Sequence, residues 1–155
     1  MNAGDTPSEG APPFDPELNV VLASLGDAVR EPLTPENLAA VQRRDLATRP
    51  RPTVRDLRAD GLFEVAEVRV AGRDATLLSA RPAGLTGPLP LLYYMHGGGM
   101  VLGNAACVLP QLLREWALPL GIAVVSVEYG LAPRVRYPVL VEDCYAGLVH
   151  VSWTR

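Results

Sequence analysis

Lysine is absent from this 155-residue chain, and all fourteen of its basic residues are arginine. They are scattered among seventeen acids for a formal charge of −3, with no basic block, so the electrostatic footprint of a nucleic-acid-binding protein is missing. Long apolar runs are missing too. The longest, from Leu118 to Val127, is interrupted by Pro119, Gly121 and Ser126, and it falls far short of the roughly 20 residues that a membrane-spanning helix requires. The opening stretch MNAGDTPSEGAPPFDPE has neither the cationic start nor the apolar centre of a secretory signal, so a cytoplasmic location is the expectation. Cysteine is scarce. Cys107 and Cys144 could close at most one bridge, and in a reducing compartment two free thiols are expected. What remains is an ordinary globular balance, 48% hydrophobic and 20% charged, which excludes a wholly disordered chain and suits one compact unit at ~100–200 residues per domain.

Residues 1–14 hold three prolines, two glycines and one serine with few large apolar groups, and read as a disordered leader. Asp15 followed by Pro16 is a helix start, and Leu18, Leu22, Leu25 and Val29 recur at the spacing of one apolar face. Thr34-Pro35 repeats the start signal for a second helix with Leu38, Val41 and Leu46, ending before Pro50. Arg49, Arg51, Arg55 and Arg58 follow with Asp56 and Asp60 among them, the pattern of a solvated connector. From Leu62 the period changes to two. A turn at Ala71-Gly72-Arg73-Asp74 then predicts a β-hairpin whose second strand is Ala75 to Arg81. Leu91 to Met95 is apolar on both parities, as a strand buried between helix layers would be. A helix is expected from Pro110 to Leu118, using Leu112, Leu113 and Trp116 and stopping at Pro119. A strand from Ile122 to Val127 and a helix from Val139 to Trp153 complete a strand-helix-strand-helix series, the signature of a parallel βαβ unit.

The segment richest in chemical information is His96-Gly97-Gly98-Gly99, directly after a predicted strand. Consecutive glycines leave backbone N–H groups uncovered, so an anionic atom can approach them closely. An HGGG loop after a strand supplies oxyanion-hole donors in lipases and esterases of the α/β-hydrolase fold. Further blocks agree with this in order: Asp15-Pro16-Glu17-Leu18, Arg81-Pro82-Ala83-Gly84, Glu128-Tyr129-Gly130-Leu131-Ala132-Pro133, Tyr137-Pro138 and Glu142-Asp143-Cys144-Tyr145-Ala146-Gly147. Over Asp15 to Gly147 the chain resembles the N-terminal half of the hormone-sensitive-lipase-like (HGGG) esterases, a branch of the α/β hydrolases.

That resemblance implies an α/β fold class with an incomplete sheet: two cap-type helices over 15–48, then over 49–155 a β-hairpin and a βαβα unit of the hydrolase core. It implies a serine-dependent carboxylic ester hydrolase acting on a small-molecule ester, with no metal and no organic cofactor. Gly98 and Gly99 would be the backbone donors, Gly97 would serve the turn, and His96 would anchor the loop without acting as acid or base. His150, on the last helix, reads as an ordinary histidine. The nucleophile needs a Gly-x-Ser-x-Gly elbow, and none of Ser8, Ser24, Ser79, Ser126 and Ser152 has that flanking glycine pair. The chain is therefore expected to stop before the nucleophile, acid and base, and to be inactive alone. Gly130 and Arg134 stand where the family has Arg and Glu, which should remove a buried ion pair. With the neighbouring strand absent, Leu91 to Met95 becomes an exposed apolar edge, and self-association through it is expected.

Two other readings compete. A dinucleotide-binding loop would need G-x-G-x-x-G, and Leu102 occupies its third glycine position. A non-catalytic binding remnant or decayed gene product would keep the cap helices and the glycine loop to hold an apolar ligand without cleaving it.

Overall fold

The structure is a computed structural model and describes residues 15–25 and 32–153. The leader assigned to residues 1–14, and Val29, lie outside the described residues. The chain divides into two compact units, within residues 1–38 and 39–155.

In the first unit, helix α1 (Pro16–Ser24) starts as its sequence dictates: Asp15 Oδ1 accepts from the N–H groups of Glu17 and Leu18 at 2.9 and 3.4 Å, and proline opens the first turn. Such a cap stabilises a helix by ~1 kcal/mol. Its apolar face is not buried, for Leu18 and Leu25 are 67% and 56% exposed and Leu22 is half-buried. The start signal at Thr34 produces a turn closed by Thr34 and Asn37, and helix α2 (Leu38–Thr48), which belongs to the second unit from Ala39 onward, follows from it.

The second unit is a four-stranded sheet with helices on both faces. The arginine-rich stretch is more than a connector. Thr53 and Asp56 form a reciprocal capping box that starts α3 (Val54–Leu57) and sets Leu57 into the core at 2% exposure. The expected hairpin is present, with β1 (Phe63–Arg69) and β2 (Thr76–Pro82) antiparallel and Arg69 opposite Thr76. β2 also pairs antiparallel with β4 (Ala123–Glu128), which pairs parallel with β3 (Leu91–Met95), for a strand order β1-β2-β4-β3. The helical crossover from β3 to β4 is the βαβ unit that the sequence predicts.

Strand alternation divides the core between two faces. Leu78, Ala80 and Val124 turn to one side and meet Leu109, Leu113 and Ala117 of the crossover. Leu77, Val125 and Val127 turn to the other and meet Leu140 of α6 (Val139–Trp153). Each such buried leucine stabilises the fold by ~1.5–3 kcal/mol.

Of the two expectations for β3, burial between helix layers fails and the exposed apolar edge holds: Leu91 is 43% and Met95 56% accessible, and among the described residues no strand pairs with its outer side. The crossover does not stop at Pro119. After α4 (Leu109–Leu112) the backbone widens into a π turn (Leu113–Ala117), in which Leu118 N–H donates to Leu113 O, and α5 (Leu118–Leu120) carries Pro119 in its first turn. Proline has no N–H to donate, and the wider turn sets it where none is required. Among the described residues no helix is long and apolar enough to cross a membrane.

Candidate functional site

Parallel pairing of β3 and β4 puts Met95 opposite Val127, so the residues just past both strands meet at one end of the sheet. His96 leads the glycine loop there, and Tyr129 leads the segment after β4. Their rings stack at 4.2 Å between centroids and 11° between planes. The Tyr129 hydroxyl donates to His96 O at 2.7 Å. His96 Nδ1 lies 2.9 Å from Gly97 O, the geometry of a ring N–H donating to that carbonyl. Both side chains are buried, at 4% and 6% exposure. His96 thus has its Nδ1 engaged, while its Nε2 is buried without a hydrogen bond. Burial pushes the Tyr129 phenol up to about 12, with Cys144, Glu128 and Tyr94 adding to the shift, so at neutral pH it stays a donor.

Past His96 the backbone turns sharply. Gly98 and Gly99 have φ of 120° and 61°, and a Cβ on Gly98 would strike the Leu102 carbonyl. The Gly98 carbonyl accepts from the N–H groups of Val101 and Leu102, at 3.1 and 2.9 Å. Among the described residues no backbone carbonyl accepts from the N–H groups of Gly98 or Gly99. Met100 is also left-handed, at φ 64°, a strain of ~1–2 kcal/mol for a residue with a Cβ. Gly97 differs from its neighbours: its φ is not positive and a Cβ there would meet nothing within 4 Å.

The loop is held from two further directions. Ala132 N–H donates to Met100 O at 3.0 Å. From α2, Gln42 Nε2 donates to Val101 O at 2.8 Å and to Ala132 O at 2.9 Å, while Asp45 Oδ2 accepts from Gly103 N–H at 3.0 Å. Next to this clamp Glu128 accepts from Ala105 N–H at 2.9 Å and faces Arg51 at 3.8 Å. A hollow of about 320 Å³ opens on the loop's other flank, lined by His96, Gly99, Tyr129, Leu140 and Cys144 among others.

The structure brings His96, Gly97, Gly98 and Gly99 into one loop at the end of β3, whereas His150 lies on α6, half-buried. The loop does not sit on a helix start, since α4 begins at Leu109. This is unlike a dinucleotide-binding turn, which places its glycines at the helix N-terminus. Of the described serines, Ser126 is fully buried in β4, Ser79 lies in β2, and Ser24 and Ser152 donate to carbonyls of their own helices. Burial pushes the Cys144 thiol up, with Asp143 adding to the shift, and so keeps it protonated. Both cysteines are free thiols.

The departures at 130 and 134 have distinct consequences. Asp143 is 1% exposed; its Oδ2 accepts from Gly130 N–H at 3.2 Å, and its Oδ1 has no hydrogen bond and faces Arg73 at 3.8 Å. A Cβ at position 130 would lie 2.8 Å from Val135 Cγ2, so valine has closed over the path that a longer side chain would take. Arg134 pairs instead with Asp74 at the surface, at 2.6 Å.

Sequence reading missed Gln42 and Asp45 as loop supports. Their spacing of three puts them on one helix face, but only the assembled unit shows what that face meets.

The comparisons with known proteins agree with this geometry. A family profile described as the alpha/beta hydrolase fold matches residues 92–154, further along α6 than Gly147, where the motif reading ends. An acetyl esterase of Salmonella schwarzengrund is 30% identical over 129 residues, covering 74% of this chain and 40% of that protein. The arylacetamide deacetylase of Mus musculus is 47% identical over 58 residues, covering 37% of this chain and 15% of that one. The solved structure of a hyperthermophilic esterase from the archaeon Pyrobaculum calidifontis superposes with a TM-score of 0.64 at 28% identity, covering 92% of this chain and 44% of that chain. This chain spans 40% or less of the length of these two curated relatives.

Proposed function

We propose that the chain, which is similar to the α/β-hydrolase profile and to esterases, belongs to the hormone-sensitive-lipase-like branch of that fold and supplies the oxyanion loop of a serine-dependent carboxylic ester hydrolase. One observation carries this reading. The Gly98 and Gly99 N–H groups, in a left-handed loop at the end of β3, are left unclaimed by backbone carbonyls among the described residues while the peptides around them are held. When a serine oxygen attacks an ester carbonyl, negative charge develops on the carbonyl oxygen. Fixed donors at that position favour the transition state over the ground state, by ~10²–10³ in kcat for each donor. His96 holds the loop through its ring and its carbonyl and takes no proton from substrate. The acyl group we propose is short, in keeping with the acetyl esterase relative.

A donor loop does not cleave an ester without a nucleophile, and no described serine lies on a strand-to-helix elbow. The 155-residue chain alone is therefore proposed to be inactive, with the nucleophile, the acid and the base supplied by sequence beyond it, in the order Ser, Asp or Glu, His. Incubation of the purified chain with p-nitrophenyl acetate or butyrate should leave hydrolysis at background. The same chain continued by the matching remainder of the Salmonella acetyl esterase should turn over acetate faster than decanoate. Serine-directed phosphonate inhibition of a robust activity in the chain alone would overturn the inactivity; a correctly folded but inactive fusion would overturn the esterase reading.

A further inference from the structure

We infer that α2 sets the direction of the Gly99 N–H, with Gln42 as a positioning residue that acts through two rigid peptide planes. The inference rests on the reading of Gly98 and Gly99 as oxyanion donors, but its geometry is independent of turnover.

Peptide units are planar, and in a trans unit the C=O and the N–H point in opposite directions. In the plane that joins Val101 to Leu102, the carbonyl accepts from Gln42 Nε2 at 2.8 Å and the N–H donates to Gly98 O at 2.9 Å. In the plane that joins Met100 to Val101, the carbonyl accepts from Ala132 N–H at 3.0 Å and the N–H donates to Gly98 O at 3.1 Å. The plane that joins Leu102 to Gly103 is held at its N–H by Asp45 Oδ2, at 3.0 Å. Both donors that reach the Gly98 carbonyl thus belong to planes whose other ends are fixed. The Gly98 carbonyl and the Gly99 N–H are opposite ends of a single trans unit. Locking the carbonyl inward turns the N–H outward, to the side where a developing oxyanion would sit.

Gln42 is suited to this role because one –NH₂ group supplies two donors, and it meets two carbonyls from separate segments, Val101 O and Ala132 O. It closes the pairing that Ala132 N–H begins at Met100 O. Without it the Met100–Leu102 turn, already strained at Met100, keeps only one tie to the Ala132 segment.

The test is nuclear magnetic resonance on the ¹³C,¹⁵N-labelled chain. In the unsubstituted protein, couplings across the hydrogen bonds from Gln42 Nε2 to the Val101 and Ala132 carbonyl carbons are expected; their absence overturns the inference without any variant. Gln42→Met keeps the length and removes both donors. The Gly99 amide order parameter is then expected to fall from about 0.85 to below about 0.6, with a changed residual dipolar coupling, while amides of β1 to β4 keep theirs. Gln42→Lys restores donors and should recover the Gly99 values. Wild-type couplings at Gly99 in Gln42→Met, or a loss spread equally over the sheet, would overturn the role. A chain that passes here while its esterase fusion stays inactive would sink the catalytic reading alone.

Discussion

The Tyr129 hydroxyl reaches the His96 carbonyl at 2.7 Å while its ring lies flat against the imidazole at 4.2 Å, so one side chain pins both the backbone and the ring at the root of the glycine loop. Tyr129→Phe keeps the stack and leaves a buried carbonyl without its donor. The expected loss is ~1–3 kcal/mol in urea unfolding, with little change in near-ultraviolet signals from residues on the other face of the sheet.

The same phenol gives a pH dependence of definite sign. Its folded value is pushed up to about 12, above the ordinary 10.0, chiefly by burial. The protonated form is therefore the one that the fold favours: its contribution is complete below pH 10 and is lost as pH rises through about 12. Burial pushes Tyr93, whose hydroxyl donates to Cys144 O, in the same direction. Thermal midpoints should fall steeply over that alkaline window, and less so in Tyr129→Phe. A midpoint flat to pH 12 would contradict the assignment.

Gly97 and Gly98 should respond oppositely to alanine. Gly97 was expected from sequence to serve the turn, but the space and backbone angle there accept a methyl group. Gly97→Ala is expected within about 0.5 kcal/mol of the parent. Gly98→Ala meets the Leu102 carbonyl at a positive φ and should cost ~2 kcal/mol or more. Equal effects in chemical denaturation would show that the loop is shaped differently.

Restoring arginine at position 130 should not help by itself. Val135 stands 2.8 Å from the new Cβ, and overpacking of this kind costs ~1–3 kcal/mol. Gly130→Arg combined with Val135→Ala opens the path to Asp143, whose Oδ1 has no hydrogen bond. The double variant should be more stable than the sum of its singles predicts. A double-mutant cycle with no coupling would reject the link between the two positions.

The outer edge of β3 presents Leu91 and Met95, 43% and 56% exposed, with no charged residue in the strand. Such an edge is a template for pairing. The isolated 155-residue chain should sediment as oligomers, and Tyr93, whose hydroxyl is engaged on α6, should be left intact while Leu91→Lys or Met95→Lys shifts the distribution toward monomer. A monomeric parent in analytical ultracentrifugation would remove the basis for this expectation.

Much of this arrangement was legible because the signals are local. Asp15-Pro16 caps and opens α1 through bonds within its first turn, period-two alternation marks β1 and β2, and His96 to Gly99 with the Tyr129 to Pro133 block marks the loop and its neighbour. Pro119 misled because its effect depends on whether the turn before it can widen, and that is decided by Leu113 and Ala117 packing on the sheet. The stripe of α2 misled in a related way. Leu46, placed on the apolar stripe, is 60% exposed, while Gln42 and Asp45 make the bonds to the loop. No pattern within α2 tells which face will find partners.

From the amino-acid order alone came most of the element types, though not α3 or the π turn, together with the glycine loop, the family likeness and the lack of a serine elbow, since each depends on residues adjacent in the chain or at helical or strand spacing. Tertiary structure alone decided that Tyr129 pins His96, that Gln42 and Asp45 hold the loop, and that Val135 closes over Gly130. Apart from the Gly130–Val135 approach, which spans five residues, those contacts join residues far apart in sequence, and their existence depends on the register of β3 against β4 and on the packing of each helix, which no short stretch of sequence encodes.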